Sequence, residues 1–311
     1  MQKILTLNSS DPQVLAARTA EQSLFSYYGL QAKDHYVLLP DQGIVVRVSE
    51  FGSGETVVVV PGNTGDVFPL ASLLAQLSGK RILAINRPGG GLSEGMDHNT
   101  VNLRQFAVNS LETVLDAFHL ENVDIVAHSM GAHWSLWLAM DRSKRVRNLV
   151  MLGNPGNVMG GKPPLRMRLI AIRPFSKLFL NMLLPKDKSH ALDTLKMSGH
   201  TEEVLRRQPQ AFAEAYYLFR HLPHYAISQT SLMENPAPPI DAQQLSQVKQ
   251  PTALLLGTKD TFASEAIGRK ITEALPRGEF FPIKDAGHLP WLEDPAECGR
   301  LILAFLARNR S

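Results

Sequence analysis

The sequence predicts an α/β protein with a mostly parallel, doubly wound sheet and one helical insertion. Three observations lead to this fold class. Short apolar runs alternate with helix-forming segments along most of the 311 residues, which is typical of parallel strands joined by helices. The alternation breaks once, between Gly153 and Val248, where no convincing strand occurs. A hydrophobic content of 44% is enough to fill one large core.

The elements of the sheet can be followed in chain order. Residues 11–28 have helical character and are expected to pack on the main body, as part of an N-terminal helical extension over about residues 1–30. Residues 36–39 and 44–48 predict a hairpin at one edge of the sheet, because a Pro-Asp-Gln-Gly turn separates them. Six further apolar runs predict the remaining strands, at residues 57–60, 82–85, 123–126, 149–152, 253–256 and 280–283.

The insertion is predicted to be helical. Pro174 is expected to kink its first helix, because proline lacks the N–H that a helix interior needs. The proline-rich residues 235–239 lead back to the sheet. The best helical candidates are residues 165–184, 191–196 and 202–219. The chain is therefore divided into a first part of the core (1–155), an inserted cap (156–247) and a second part of the core (248–311).

The segment Ala127-His128-Ser129-Met130-Gly131 carries the strongest functional signal. It follows an apolar strand and precedes a helix-forming run. A serine in that position is often only the N-cap of a helix. Here small residues stand two positions before and after the serine, and a sharp, strained turn from strand to helix needs that space. The pattern therefore predicts a nucleophile elbow with Ser129 as the nucleophile.

Two more candidates follow later strands. Asp260 and His288 each come just beyond the end of an apolar run. Open parallel sheets place their ligands beyond the carboxyl ends of the strands, so both side chains are expected to meet Ser129 at one edge of the sheet. Asp285 is nearer to His288 in sequence, but a carboxylate on a neighbouring strand end is better placed to orient the imidazole.

These residues resemble the catalytic groups of the α/β-hydrolase superfamily, of the kind with a helical cap. The order serine, aspartate, histidine along the chain is the order of that superfamily. Pro61 stands where the family commonly has histidine, and Asn86 stands where it often has aspartate. The similarity covers most of the chain and rests further on residues 57–65, 86–93 and 287–295, of which the last follow the family pattern G-H-x-P-x-x-E-x-P. The resemblance implies the α/β-hydrolase fold.

The chemistry of the three side chains predicts their roles. A serine hydroxyl is a poor nucleophile at neutral pH and needs a base, which we assign to His288. Asp260 is expected to hold the histidine tautomer and to stabilise the imidazolium. Two backbone N–H groups are expected to form the oxyanion hole: that of Met130 at the start of a helix, and that of Asn63 in the loop after the strand at residues 57–60.

The predicted function is that of a serine hydrolase, most simply a carboxylesterase-like enzyme that cleaves an ester of a small to medium apolar substrate through an acyl-enzyme on Ser129. Other serine enzymes of the same superfamily remain alternatives: carbon–carbon bond hydrolases, aminopeptidases, acyltransferases and perhydrolases. A non-catalytic binding protein or receptor is the alternative from another class. No cofactor and no metal are expected, because neither a dinucleotide-binding glycine pattern nor metal-ligand spacing occurs.

The composition narrows the partners. The net charge of +3 is spread along the chain, which argues against nucleic acid as a ligand. The single cysteine, Cys298, excludes an internal disulfide framework. The N-terminus lacks the apolar core of a signal peptide, and no run reaches the ~18 apolar residues of a membrane span. We therefore expect a soluble, cytoplasmic protein with a small-molecule substrate, whose oligomeric state stays open.

The first helix of the insertion has two interpretations. Arg166, Arg168, Arg173 and Lys177 alternate there with large apolar residues. One interpretation is a cap helix whose apolar face covers the substrate pocket and excludes water. The other is a basic amphipathic helix that makes loose contact with anionic lipid, without stable insertion into the membrane.

Overall fold

An eight-stranded sheet forms the centre of the protein in the computed structural model, which describes residues 7–310. Its strands are β1 (Lys33–Leu39), β2 (Ile44–Gly52), β3 (Glu55–Val60), β4 (Lys80–Ile85), β5 (Val123–His128), β6 (Val146–Leu152), β7 (Thr252–Gly257) and β8 (Gly278–Ile283). They lie in the order β1-β2-β4-β3-β5-β6-β7-β8. β2 is antiparallel to β1 and β4, and the other neighbours are parallel. The predicted fold class and edge hairpin are confirmed.

Twelve α-helices surround the sheet in the described part of the chain. They are α1 (Pro12–Tyr27), α2 (Ala71–Leu74), α3 (Leu103–Ala117), α4 (Met130–Asp141), α5 (Leu165–Arg168), α6 (Ser176–Leu183), α7 (Glu202–Arg206), α8 (Gln210–Arg220), α9 (Tyr225–Glu234), α10 (Ala242–Leu245), α11 (Glu265–Ala274) and α12 (Pro295–Arg308). The leading helix begins where it was predicted, since Asp11 caps α1 by accepting the Gln13 N–H at 2.7 Å. Residues 1–6 of the predicted extension lie outside the described residues.

The central strands are buried on both sides, because successive side chains point to opposite faces of a sheet. Val57 and Val59 of β3 belong to the core that α1, α2 and α12 cover. Val58 and Val60 belong to the core under α3, α4 and α11. This double burial explains why these strands read as unbroken apolar runs rather than alternating ones.

The helical nature of the insertion is confirmed, but its helices end where prolines interrupt them. The predicted helix 165–184 is wrong as a single element, because it is split around Pro174 into α5 and α6. The predicted helix 202–219 is likewise split at Pro209 into α7 and α8. Residues 191–196 fall within a 3₁₀-helix, Ala191–Ser198. Proline removes a helical hydrogen bond and clashes with the preceding turn, so each stretch continues as a separate helix.

Two helices of the insertion, α9 and the short α10, escaped prediction. The α9 sequence mixes serine, threonine and glutamine with apolar residues and shows no apolar stripe. Polar and apolar side chains of α9 are buried alike, among them Ser228, Gln229 and Leu232. A helix that is buried on most of its faces has little amphipathic pattern to detect.

The insertion contacts the loops that follow the strands. Gln229 of α9 accepts a hydrogen bond from Asn63 Nδ2, in the loop after β3, at 2.9 Å. Arg220 of α8 forms a buried ion pair with Asp66 at 2.5 Å. These contacts place the insertion over the carboxyl ends of the parallel strands, where the predicted site residues lie.

Candidate active site

Ser129 occupies a strained turn between β5 and α4. Its backbone has φ 49° and ψ −118°, a positive φ that costs energy for any residue with a side chain. The Ser129 N–H donates to the carbonyl oxygen of Leu152 at 3.1 Å, which ties the turn to β6. A Cβ atom at Gly131 would collide with the carbonyl oxygens of Val60 and Pro61. The close approach of α4 to the end of β3 therefore requires glycine at position 131, two residues after the serine.

The three predicted side chains meet in one line. Ser129 Oγ lies 2.9 Å from His288 Nε2, and His288 Nδ1 lies 2.9 Å from Asp260 Oδ2. All three residues are at most 8% exposed. A neutral imidazole with its proton on Nδ1 donates to the carboxylate here and accepts from the serine hydroxyl. Asp285, the alternative carboxylate, is exposed to solvent.

Two backbone groups complete the surroundings of Asp260. Asn154 N–H donates to Oδ2 at 3.0 Å, and Phe262 N–H donates to Oδ1 at 2.8 Å. The Phe262 ring stacks on the imidazole of His288, with ring centres 3.8 Å apart. Sequence reasoning missed both residues, because any residue type carries a backbone N–H and only the fold brings these two to the carboxylate. The contacts fix the orientation of carboxylate and imidazole together.

A cavity of about 160 Å³ opens onto Ser129 and His288. Loops of the sheet and helices of the insertion line it, mainly with apolar side chains such as Leu70, Met167, Leu195, Met233, Leu289 and Trp291. Apart from histidine, the ionisable charges in its wall are those of Asp66 and Arg220, which form the buried ion pair described above. The cavity is therefore apolar and close to neutral.

The predicted oxyanion-hole residues lie beside the serine. Asn63 and Met130 both line the cavity that Ser129 faces. Met130 is the first residue of α4, and N–H groups in the first turn of a helix have no partner inside that helix. A Cβ atom at Gly62 would lie 3.4 Å from Cβ of Ser129, so the loop after β3 approaches the serine closely. These positions agree with the prediction, and the assignment of the two N–H donors stays a proposal.

Arg87, which the sequence analysis did not single out, holds this loop from behind. Its guanidinium donates from Nε to the Pro61 carbonyl at 3.0 Å, and from Nη2 to the carbonyls of Gly62 and Asn63, the latter at 2.8 Å. The side chain is 1% exposed and stacks on Trp134. It pairs with no carboxylate among residues 7–310, and burial lowers its pKa to about 9.

The three carbonyl contacts of Arg87 fix the peptide planes of the loop. In a trans peptide the C=O and the following N–H point in opposite directions. Because the Gly62 carbonyl faces Arg87, the Asn63 N–H faces away from it. The guanidinium thus orients the N–H that we expect to bind the oxyanion. From sequence, an arginine after β4 looks like an ordinary charged loop residue, so its role was not visible.

The loop that carries His288 is hydrogen-bonded to the insertion. The His288 N–H donates to the carbonyl oxygen of Ser198 at 2.8 Å. The next N–H, of Leu289, donates to Nε2 of the buried His200 at 3.2 Å. His200 Nδ1 in turn lies 2.6 Å from Glu293 Oε1. A second histidine–carboxylate pair therefore supports the backbone beside the first.

The comparison with known families agrees with this architecture. A family model described as alpha/beta hydrolase fold matches residues 55–295, which is more than half of the chain. The chain belongs to the alpha/beta hydrolase fold family. The family suggested by the motifs is thereby confirmed.

Curated relatives and solved structures of this alpha/beta hydrolase family differ in their named activities. The 2-hydroxy-6-oxononadienedioate/2-hydroxy-6-oxononatrienedioate hydrolase 2 of Pseudomonas putida is 25% identical over 269 residues, covering 84% of this chain and 91% of the relative. The crystal structure of the carboxylesterase CesB (YbfK) from Bacillus subtilis superposes with a TM-score of 0.77 at 16% identity, covering 95% of this chain and 99% of the other. A membrane phospholipase A, described as a bacterial virulence factor, gives 0.71 at 21% identity over 96% and 93%. At these identities the structures show the shared fold alone.

The described residues offer neither a metal site nor a membrane span. Across residues 7–310, no group of three or more histidine, cysteine, aspartate or glutamate side chains is arranged to hold a metal ion. Within the same range, no helix combines the length and the hydropathy needed to span a bilayer.

Proposed function

We propose that this protein is a serine hydrolase that cleaves carboxylic esters with small to medium apolar groups, through an acyl-enzyme on Ser129. One observation carries the proposal: the hydroxyl, imidazole and carboxylate are aligned with two contacts of 2.9 Å at the wall of an apolar cavity. The strained backbone of Ser129 supports it, because strain of this kind is retained where function requires it.

The geometry supports a two-step mechanism. His288 Nε2 takes the proton of Ser129 Oγ as that oxygen attacks the ester carbonyl carbon, and the carbonyl π electrons move onto its oxygen. The N–H groups of Asn63 and Met130 bind this oxyanion. When the tetrahedral intermediate collapses, the C–O bond to the alcohol breaks and His288 protonates the leaving alkoxide. Water activated by the same histidine then hydrolyses the acyl-serine.

Asp260 makes this proton transfer easier in two ways. Its hydrogen bond holds the proton on Nδ1, so Nε2 remains free to accept the serine proton. Its negative charge stabilises the imidazolium once it forms. The N–H donors of Asn154 and Phe262 keep the carboxylate in place during both steps.

The charge balance of the cavity favours an apolar ester. A dianionic substrate needs cationic groups that are not already neutralised, since transfer of a charge from water into an apolar site is costly. Arg220 is the cation in this wall, and Asp66 neutralises it at 2.5 Å. The apolar side chains around it offer dispersion contacts to a hydrocarbon group instead.

Carbon–carbon bond hydrolysis is the second candidate, and a specific observation favours it. The relatives from Pseudomonas putida and Escherichia coli O139:H28, the latter 23% identical over 89% of this chain and 96% of the relative, are named as hydrolases of dienedioates. Arg220 would then have to serve a substrate carboxylate in addition to Asp66. The same serine and histidine can act on such a substrate. The two activities therefore differ in whether the pocket can bind the substrate's carboxylates.

Two experiments test the proposal. A fluorophosphonate probe is expected to label the wild-type protein but not Ser129→Ala, and absence of labelling favours a binding protein without catalysis. A panel of p-nitrophenyl esters of increasing chain length, together with amide, lactone and 2-hydroxy-6-oxodienoate substrates, then ranks the activities. Ester turnover above all others supports the proposal. Preferential cleavage of the dienoate would establish the second candidate instead.

A further inference from the structure

Helix α6 is apolar on two opposite faces. Its inner face includes Leu180, which is 4% exposed and packs into the core of the insertion. Its outer face carries Leu178 and Met182, preceded by Phe175 at the N-cap position; these three are 55%, 70% and 53% exposed. These three follow the spacing i, i+3, i+7 and therefore share one side of the helix. The helix therefore presents one apolar side to the core and a second apolar side to solvent.

Exposed apolar side chains are concentrated in this part of the chain. Nine large hydrophobic residues are exposed among residues 7–310, and five of them lie between positions 165 and 182. Besides the three on α6, they are Leu165 at 69% and Ile172 at 46%. Scattered exposed apolar residues need no explanation, whereas a concentration of them marks an interaction site.

The same segment is strongly basic. Residues 165–188 contain six lysines and arginines and one aspartate, so they hold more positive charge than the formal net charge of +3 of the whole chain. Arg166, Arg168, Lys177 and Lys186 are exposed. None of these four pairs with a carboxylate within residues 7–310. The charge of this segment is therefore complementary to that of an anionic partner.

The segment also lies beside the cavity that Ser129 faces. Next to that cavity is a second one of about 100 Å³, and both are lined by Met167 and Leu195. Leu183 and Leu184 of the second cavity also line a depression at the surface, next to Met182. Three neighbouring hollows that share wall residues thus lie between the outer side of α6 and Ser129.

We propose that the outer face of α6 (Phe175, Leu178 and Met182), with the basic residues around it, docks on an anionic lipid surface. Apolar side chains flanked by basic ones match the boundary between acyl chains and headgroups. The hollows between this face and Ser129 favour lipid over an acidic protein, because their size suits single acyl chains and not a folded protein. The inference rests on the proposed function in one respect: it names apolar acyl esters that partition into lipid as the substrate class.

Vesicle binding tests the docking surface without catalysis. The Ser129→Ala protein is mixed with vesicles made of equal parts phosphatidylglycerol and phosphatidylcholine, or of phosphatidylcholine alone, and the bound fraction is measured by flotation. Binding to the anionic vesicles is expected, and Phe175→Ser with Leu178→Ser should weaken it about tenfold, because two large apolar side chains no longer enter the interface. The matched control changes Leu15 and Leu38, which are 48% and 55% exposed elsewhere, to serine and should bind as before.

A second pair of variants tests the charge. Arg166→Gln with Arg168→Gln is expected to weaken binding to the anionic vesicles and to reduce its sensitivity to salt. The control is Arg206→Gln with Arg207→Gln, because these arginines at the end of α7 are also exposed but paired with Glu202 and Glu203. Equal losses in both pairs would contradict a localised lipid surface.

The remaining outcomes separate the inference from the proposed function. Vesicle binding that fails while soluble p-nitrophenyl esters are still hydrolysed overturns the lipid surface and leaves the esterase proposal intact. Vesicle binding by a protein without esterase activity supports the surface alone. Dimers that Phe175→Ser with Leu178→Ser dissociates, without vesicle binding, would assign the face to a second copy of the chain and overturn the inference. The substituted side chains are exposed, so the variants are expected to fold. Turnover of the soluble ester by the same variants with Ser129 restored checks this.

Discussion

Replacement of Arg87 by methionine is the sharpest test of how the oxyanion hole is built. The substitution removes the donors to the carbonyls of Pro61, Gly62 and Asn63 and keeps an apolar chain against Trp134. The Gly62 carbonyl then keeps only the Gly65 N–H at 2.9 Å, and the Asn63 carbonyl keeps only Gln229 Nε2 at 3.3 Å. The Asn63 N–H is therefore held less firmly in the orientation that faces away from position 87. We therefore expect a loss of transition-state stabilisation with the substrate site otherwise preserved.

The magnitude follows from the number of groups involved. Loss of one oxyanion-hole donor costs about 3–4 kcal/mol, or a factor of about 10²–10³ in kcat. Because Arg87 acts through the loop and does not itself touch the substrate, we expect a fall of about 10² in kcat with a small change in KM. Stability should change less than the three hydrogen bonds suggest, since the methionine variant also no longer buries a guanidinium that lacks a carboxylate partner.

Two ligands provide the assay. A trifluoromethyl ketone forms a tetrahedral adduct with Ser129 and needs the oxyanion hole, whereas the product alcohol has no carbonyl oxygen and does not. In Arg87→Met the affinity for the ketone should fall in parallel with kcat/KM, and the affinity for the alcohol should stay. Arg87→Lys keeps the charge but not the fork of donors, so it should restore only part of the loss.

Arg47→Met is the control for burial of an arginine. Arg47 of β2 is 1% exposed like Arg87, but it pairs with Glu21 of α1 at 2.5 Å. Its replacement should lower the free energy of unfolding while the folded fraction retains its kcat. If Arg87→Met folds and turns over esters as fast as the wild type, the reasoning about the loop is refuted.

Three further predictions concern the triad, the elbow and the buried histidines. Asp260→Asn should lower kcat by about 10⁴-fold with the fold intact; single-turnover acylation measures it, and a mild effect would assign the role to another carboxylate. Gly131→Ala should lower the free energy of unfolding by about 1–3 kcal/mol, because its Cβ meets the carbonyls of β3; an unchanged urea midpoint would contradict this. Burial lowers the pKa of four histidines, so protons taken up only by the unfolded chain should destabilise the fold by about 1.4 kcal/mol per pH unit for each histidine between pH ~6.5 and its folded-state pKa. Urea titrations against pH test this, and a flat profile would argue against it; the histidines are His98 (pKa about 3), His133 (about 4), His224 (about 4) and His128, whose pKa lies well below its usual value.

The parts of the site that sequence reasoning found are those with a local signature. Ser129 was visible because a tight turn needs small neighbours, and His288 because it lies in an extended motif after a strand. Asp260 followed from the rule that strand ends of a parallel sheet share one edge. The sheet itself was predicted well for the same reason, since strands such as β3 are unbroken apolar runs between polar loops.

The parts that were missed depend on contacts between distant segments. Arg87 donates to backbone carbonyls that lie about 25 residues earlier in the sequence, and the backbone N–H of Asn154 donates to the distant Asp260. The residue types alone do not predict either contact. The helix at residues 165–184 was drawn as one because its composition favours helix throughout, whereas the backbone at Pro174 separates it into two. For α9, burial of polar side chains erased the pattern by which helices are recognised.

The hydrogen bonds between the insertion and the loops of the triad bear on how substrate reaches the serine. Met197 and Ser198 accept hydrogen bonds from Thr261 and from the His288 backbone, so this stretch is fastened to both the aspartate loop and the histidine loop. A swing of the whole insertion away from the sheet would pull those loops apart and dismantle the proton relay. Substrate entry that preserves the alignment of Ser129, His288 and Asp260 therefore requires residues 197–198 to stay in place while other parts of the insertion move.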